Sequence, residues 1–343
     1  MPKLRLKYIL FTTFLILFSL GFVYRDLIVY GILQGKGQLK VLLNSRSLEE
    51  TMADPEFPDS LKAKLKLIPE IKRYAIEEFG MSGTDNYSTV YDQKGKDILW
   101  NVTGCKPYSF EAYRWWFPVV GKVPYKGYFD IELAKKEAMR IEAEGYETRI
   151  RSVSAWSTLG WFKDPILSNT LSRSESSIAE TIFHELTHAT VFFPDSVEFN
   201  ESLASFVEYS ATIQYLSEKY GEQSEEIQKY LEEERDSQAY YLHFLRGKER
   251  LDSLYRSFDV NTDTTYMRIQ KELVITEVIE KLDTVSFQNE RYYQIWKNKP
   301  LPNNAYFMYF ARYYDTPYVL SVLLSNVNKD IRRFLEAIKE MNG

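Results

Sequence analysis

The stretch Ala179-Glu180-Thr181-Ile182-Phe183-His184-Glu185-Leu186-Thr187-His188-Ala189-Thr190 carries the pattern His-Glu-x-x-His within a run of helical periodicity. On an α-helix, positions i and i+4 differ by about 40° around the axis and about 6 Å along it, so His184 and His188 face one point. Two imidazole nitrogens so placed can reach a zinc ion at about 2.0–2.1 Å. Glu185 is rotated about 100° from His184, outside the ligand pair, where it can take a proton from a metal-bound water. Ile182, Phe183, Leu186 and Ala189 supply the apolar faces of the same helix. Two of the three histidines in the chain fall inside the motif. That concentration favours a Zn²⁺ site over a pair of helix histidines with no metal.

A catalytic zinc needs a third protein ligand and an open fourth position. No further histidine follows at close spacing, so a carboxylate is indicated, and Asn200-Glu201-Ser202-Leu203-Ala204-Ser205-Phe206-Val207-Glu208 offers two. Glu201 and Glu208 share a helix face but lie about 10.5 Å apart along it, so one of them reaches the ion. If the second helix is capped by Asp195, in a capping box with Glu198, and runs antiparallel to the first, Glu201 lies level with the two histidines. A helix starting nearer Asn200 would favour Glu208. Glu201 is the preferred ligand, and Glu208, Glu180 and Asp195 become candidates to orient an imidazole N–H.

Outward from this motif the chain divides in two. Between Tyr87 and Ser157, segments such as YSTVYD, ILWNVTG and YETRIRSVSAWST are rich in aromatic and β-branched residues between Gly and Pro breaks, as strands are. A short helix, about 131–144, lies among them. From Ser174 onward helices are expected at 177–192, 196–218, 223–250, 263–284, 303–314 and 328–341. Before the strands come one or two helices over 27–50 and another at 59–80, interrupted by Pro69 and stopped by Gly80. The expected fold is α+β: an N-terminal transmembrane helix, a small, mostly antiparallel sheet, then a largely helical, zincin-like half. The expected divisions are 1–25, a signal anchor; 26–80, a juxtamembrane helical region; and 81–343, the metal-bearing domain.

The anchor is read from the uncharged run Tyr8–Tyr24, which follows Lys3, Arg5 and Lys7. As a helix it spans about 25 Å, near the lower limit for crossing a bilayer. No small-x-small cleavage pattern follows it, so the segment is expected to be retained. Basic residues flank it equally, Lys3, Arg5 and Lys7 against Arg25, Lys36 and Lys40. Their crowding beside the amino-terminal end favours an extracytoplasmic domain, on the periplasmic side of a bacterial inner membrane. A net charge of −5 argues against a nucleic-acid partner. The single cysteine, Cys105, excludes an internal disulfide and a cysteine-built zinc site.

The pair HELTH and NESLASFVE resembles the thermolysin-like branch of zinc peptidases, in which an Asn-Glu pair on the following helix gives the third ligand. More closely, the chain resembles a bacterial family of predicted aminopeptidases. The matching stretches are YGILQGKGQL (30–39), WWFP (115–118), YKGYF (125–129), STLGWFKDP (157–165), HELTH (184–188), FNE (199–201) and PNNA (302–305). The resemblance implies His184, His188 and Glu201 as ligands, Glu185 as general base and a peptide or protein as substrate. One departure is that many members carry a lipid-acceptor cysteine after the hydrophobic run, and none stands there in this chain. Such peptidases align substrate on an edge strand before the metal helix, for which YETRIRSVSAWST is the candidate. An oxyanion donor is expected among His243, Tyr240, Tyr241, Tyr306 and Tyr309. Asn303 and Asn304 stand where a helix cap is the simplest reading. No set of acids for a free α-amino group is visible, so endopeptidase stays open beside aminopeptidase. A non-catalytic, membrane-tethered zinc scaffold is the rival from another class.

Overall fold

The computed structural model describes residues 19, 21–118, 121–153, 163–194, 196–311 and 316–341, and shows a mixed α+β protein dominated by helices. It begins with α1 (Arg25–Leu43), β1 (Arg46–Ser47), α2 (Leu48–Ala53), α3 (Asp59–Leu65) and α4 (Leu67–Phe79). The break expected at Pro69 falls instead at Lys66. Pro69 sits in the first turn of α4, where its missing N–H would have had no helical partner. Gly80 ends α4 with φ 63°, a left-handed turn that glycine adopts without strain.

The strands are β2 (Thr89–Tyr91), β3 (Trp100–Cys105), β4 (Trp115–Phe117), β5 (Gly121–Val123), β6 (Lys126–Tyr128), β7 (Glu147–Ser152) and β8 (Ile166–Leu167), with α5 (Ile131–Ala143) before β7. They form three small sheets, where the sequence suggested one. The first has the order β1-β2-β8 and includes a parallel pair, β2 with β8. The second is antiparallel, β6-β3-β7, and the third is the hairpin β4-β5. β7 therefore lies at a sheet edge, as expected, while its continuation over 154–158 lies outside the described residues.

The helical half comprises α6 (Glu175–Thr190), α7 (Val197–Tyr220), α8 (Glu225–Arg256), α9 (Thr264–Glu280), α10 (Arg291–Gln294), α11 (Asn304–Phe307), α12 (Thr316–Asn326) and α13 (Ile331–Glu340). The largest core gathers Leu65, Ile68 and Phe79 with Ile178, Ile182 and Phe183 of α6, Leu203 and Val207 of α7, Ile227 and Tyr230 of α8, and Phe334 of α13. It thus joins the segment before Gly80 to the motif helix. Each such side chain contributes about 1.5–3 kcal/mol on burial. A second core holds Tyr240, Phe244 and Leu251 of α8 with Ile275, Val278 and Phe307. A third, around Val102, Trp115, Tyr128 and Ile141, fixes α5 on the second sheet.

Two polar clusters tie these parts together. Lys219 of α7 donates to Glu70 of α4 at 2.6 Å and to Glu175 of α6 at 2.7 Å, with the Tyr215 hydroxyl bonded to the same carboxylates. Tyr30 of α1 donates to the Gly127 carbonyl at 3.0 Å, and a Cβ at Gly37 would come within 2.3 Å of the Phe129 ring, so α1 meets the second sheet where only glycine fits. Among the described residues no helix is long and apolar enough to cross a membrane. Most of the run expected to do so, 8–18 and 20, lies outside the described residues.

Candidate metal centre

Helix α6 begins at Ser174, whose hydroxyl accepts from the Ser177 N–H, and ends at Thr190. Helix α7 begins at Val197 after Ser196, which makes no side-chain cap bond. Asp195, expected to cap it, lies outside the described residues. The connection is locked instead by Asn200, which is 2% exposed. Its amide donates to the Phe193 carbonyl at 2.8 Å and accepts from the Phe193 N–H at 2.9 Å. Both hydrogen-bonding groups of one loop residue are satisfied by one side chain, which fixes where Glu201 enters. His188 meets Glu201 while His184, a turn earlier, also meets Glu208, so the two helices run antiparallel.

The structure brings together His184, His188 and Glu201. The two Nε2 atoms are 3.1 Å apart. Glu201 Oε2 lies 3.4 Å from His184 Nε2, and Glu201 Oε1 lies 3.5 Å from His188 Nε2. A tetrahedral zinc with bonds of about 2.0–2.1 Å requires ligand atoms separated by about 3.3 Å. The three separations fit three corners of such a site, and the rings, inclined at 85°, aim their lone pairs at one region. The group can hold a metal ion, and Glu201 is the carboxylate that completes it.

Glu208 takes the orienting role. It lies 2.6 Å from His184 Nδ1, so that nitrogen carries the proton and Nε2 presents its lone pair to the centre. Glu180 does not reach an imidazole; its carboxylate accepts from the Tyr230 hydroxyl at 2.8 Å. His188 Nδ1 is buried and finds no hydrogen-bond partner among the described residues.

The electrostatics follow from this crowding. Burial pulls the His184 imidazole down, but Glu201 and Glu208 together outweigh it and carry its pKa up to about 10. Burial and the neighbouring His184 charge push His188 down to about 4. The His184 hydrogen bond holds the Glu201 carboxyl below its ordinary value. Without an ion, one proton shared by the cluster offsets its negative charge. A divalent cation held by the three donors would replace that proton and satisfy all three at once.

The charge of Glu185 acts on Tyr87, a residue the motif did not single out. Burial raises the Tyr87 hydroxyl well above its ordinary value, and the charges of Glu185 and Asp164 add to the effect. Tyr87 has φ 62°, unusual for a non-glycine residue, and its N–H donates to the Asp164 carbonyl at 2.7 Å. In the sequence Tyr87 appears only as the first residue of the strand-like run YSTVYD, and nothing there distinguishes it among 26 tyrosines. Of the expected oxyanion donors, His243 is bound to the Val278 carbonyl at 2.7 Å, Tyr240 to Tyr306 at 2.7 Å, and Tyr241 to the Phe310 carbonyl. These side chains are held in or against the second core. Asn303 caps α11, and Asn304 is buried against Tyr255, Lys106 and Pro107.

No curated protein and no solved structure matches the chain. A family model described as "Putative aminopeptidase" matches residues 29–343, nearly the whole chain, and the protein belongs to that family.

Proposed function

We propose that the protein is a zinc-dependent peptidase, acting on the amino-terminal end of peptides. The observation that carries this reading is the set of three separations, 3.1, 3.4 and 3.5 Å, among His184 Nε2, His188 Nε2 and the Glu201 carboxylate. Two imidazoles and one carboxylate form a donor set that suits zinc with an open position. Membership of an aminopeptidase family points to peptide hydrolysis.

When bound, zinc supplies a Lewis acid that lowers the pKa of water toward 7 and polarises the scissile carbonyl. The remaining work belongs to the chain. Glu185, next to His184 but rotated off the ligand face, takes the proton of the attacking water and delivers it to the leaving amine. Glu208 holds His184 in the tautomer that exposes Nε2. Asn200 keeps the α6–α7 connection in register, so Glu201 faces both imidazoles.

The proposal includes anchoring of the chain by its N-terminal apolar run, with the domain outside the cytoplasm. Support comes from the uncharged stretch Tyr8–Tyr24 and from Ile28, Val29 and Ile32 of α1, which leave apolar surface exposed just after it.

The test compares zinc content and hydrolysis of a peptide mixture for the wild type, His188→Ala, Glu201→Ala and Glu185→Gln. About one zinc per chain is expected in the wild type and in Glu185→Gln, and little in the other two variants. Turnover is expected to fall by about 10²–10⁴-fold in Glu185→Gln. A folded, zinc-supplied wild type that binds no metal would sink the reading. Acetylation of the peptide amino terminus separates exopeptidase from endopeptidase, since only the former loses its substrate.

A further inference from the structure

Arg149 and Arg151 lie two residues apart on the edge strand β7, on the face opposite Ile150, which packs into the third core. The Arg149 guanidinium stacks over Tyr306 at 4.4 Å from the ring centre and lies 5.7 Å from that of Tyr309. Arg151 stacks over the same Tyr309 ring at 5.3 Å. Stacking occupies the flat faces of the guanidinium groups and leaves their in-plane N–H donors to be satisfied. Among the described residues neither arginine side chain has a carboxylate within ion-pair distance or an acceptor within hydrogen-bond distance. Some other arginines do pair with acids among the described residues, Arg46 with Asp54, Arg140 with Glu137 and Glu144, and Arg250 with Glu277.

The charges around the pair point the same way. Burial lowers the Arg149 pKa, Arg151 adds to that, and the hydroxyls of Tyr306, Tyr309 and Tyr240 oppose it. Tyr306 is itself held by Tyr240, which also accepts from the Trp296 indole at 3.0 Å. The Tyr306 ring is therefore held against the second core, while Tyr309 lies at the surface beside Phe310. Two cations held side by side over aromatic rings, with no anion beside them among the described residues, repel each other unless an anion joins them.

We infer that Arg149 and Arg151, floored by Tyr306 and Tyr309, form a binding site for a carboxylate of the peptide substrate. A carboxylate matches the planar donors of a guanidinium in two parallel hydrogen bonds, and a second guanidinium binds its other side. A peptide occupant is favoured because β7 is a sheet edge: Asn303 takes its Thr148 carbonyl at 2.8 Å, and beyond that point, at Ile150 and Ser152, no further strand pairs with it among the described residues. One helix also links the two places. Helix α8 touches the motif helix through Tyr230 and Glu180, and touches the arginine floor through Tyr240 and Tyr306, ten residues on. That is about 15 Å along the helix, the reach of roughly five extended residues. The inference rests on the peptidase reading for the identity of the ligand, since that reading makes a peptide the occupant.

The experiment measures binding of a neutral pentapeptide, as free acid and as C-terminal amide, to the full-length, zinc-loaded Glu185→Gln protein by calorimetry. The free acid is expected to bind about tenfold tighter or more, with a preference that shrinks at high salt. Arg149→Gln and Arg151→Gln should each reduce the preference severalfold, and Arg149→Lys should restore part of it. Arg151 is the more exposed of the two, so Arg151→Gln decides the matter if Arg149→Gln fails to fold. Equal binding of acid and amide, or a preference untouched by Arg151→Gln, overturns the inference. Cleavage of both peptides by the wild type with no acid preference leaves the peptidase intact and removes this site. An arginine-dependent acid preference in a protein that cleaves neither peptide keeps the carboxylate site and removes the peptidase.

Discussion

Glu208 lies 2.6 Å from His184 Nδ1, on the side of the imidazole turned away from His188, although Glu201 is the carboxylate that faces both rings. One helix thus places two acids at the site, and in the proposed metal centre one would be a ligand and the other a brace. Glu208→Ala should weaken zinc binding by about 10–100-fold without abolishing it, whereas Glu201→Ala should leave almost no metal. Competition against a chelator of known affinity separates the two. Equal losses would contradict the division of labour.

Asn200 satisfies both backbone groups of Phe193. Asn200→Ala removes two hydrogen bonds at a buried position and should cost about 1–3 kcal/mol, read as a lower urea midpoint. Metal affinity should fall with it, because the start of α7 is then free to shift Glu201. Asn200→Asp keeps the acceptor alone and should lie between.

Burial raises the Glu180 carboxyl to about 8; the Tyr230 hydrogen bond opposes this, and the charges of Glu234, Glu208 and Glu233 add to it. The folded state therefore keeps a proton that the unfolded chain releases near its ordinary value of 4.5. Stability from this group should decline as pH rises from about 4.5 to about 8 and level off above that. In Glu180→Gln that decline should disappear, leaving the variant more stable than the wild type by on the order of 2 kcal/mol at pH 9. Urea unfolding at several pH values measures it, and parallel curves for the two proteins would refute it.

Gly37 packs where a Cβ would come 2.3 Å from the Phe129 ring. Gly37→Ala should loosen α1 from the second sheet and expose it to limited proteolysis, with little change at the metal centre. Gly35→Ala, where a Cβ meets nothing within 4 Å, is the control.

The motif helix and its partner were readable because their information is local. Spacing alone put His184 and His188 on one side, and expected helices at 177–192 and 196–218 became Glu175–Thr190 and Val197–Tyr220. The level of Glu201 followed from the start of α7 within about one residue. What spacing does not carry is pairing between distant segments. Val90 meets Ile166 in a parallel bridge that no turn announces, so the strands sort into three sheets instead of one. Strands of two or three residues are too short for alternation to show. Tyr87 escaped notice for the same reason, since the action of the Glu185 charge on it depends on contacts across the fold. Helix 316–326 was missed because it is apolar along most of its length and shows little sidedness.

Helix α8 is 32 residues long, about 48 Å, and its two ends serve different interiors: Ile227 and Tyr230 pack with the motif helix, Phe244 and Leu251 with the second core. Trimming the chain after α7 to obtain a minimal catalytic fragment would strip the metal helix of those first contacts. Cutting within α8 would leave half a rod with an apolar side open to water. One helix therefore ties the two interiors together, and an engineered truncation has to spare α8 whole.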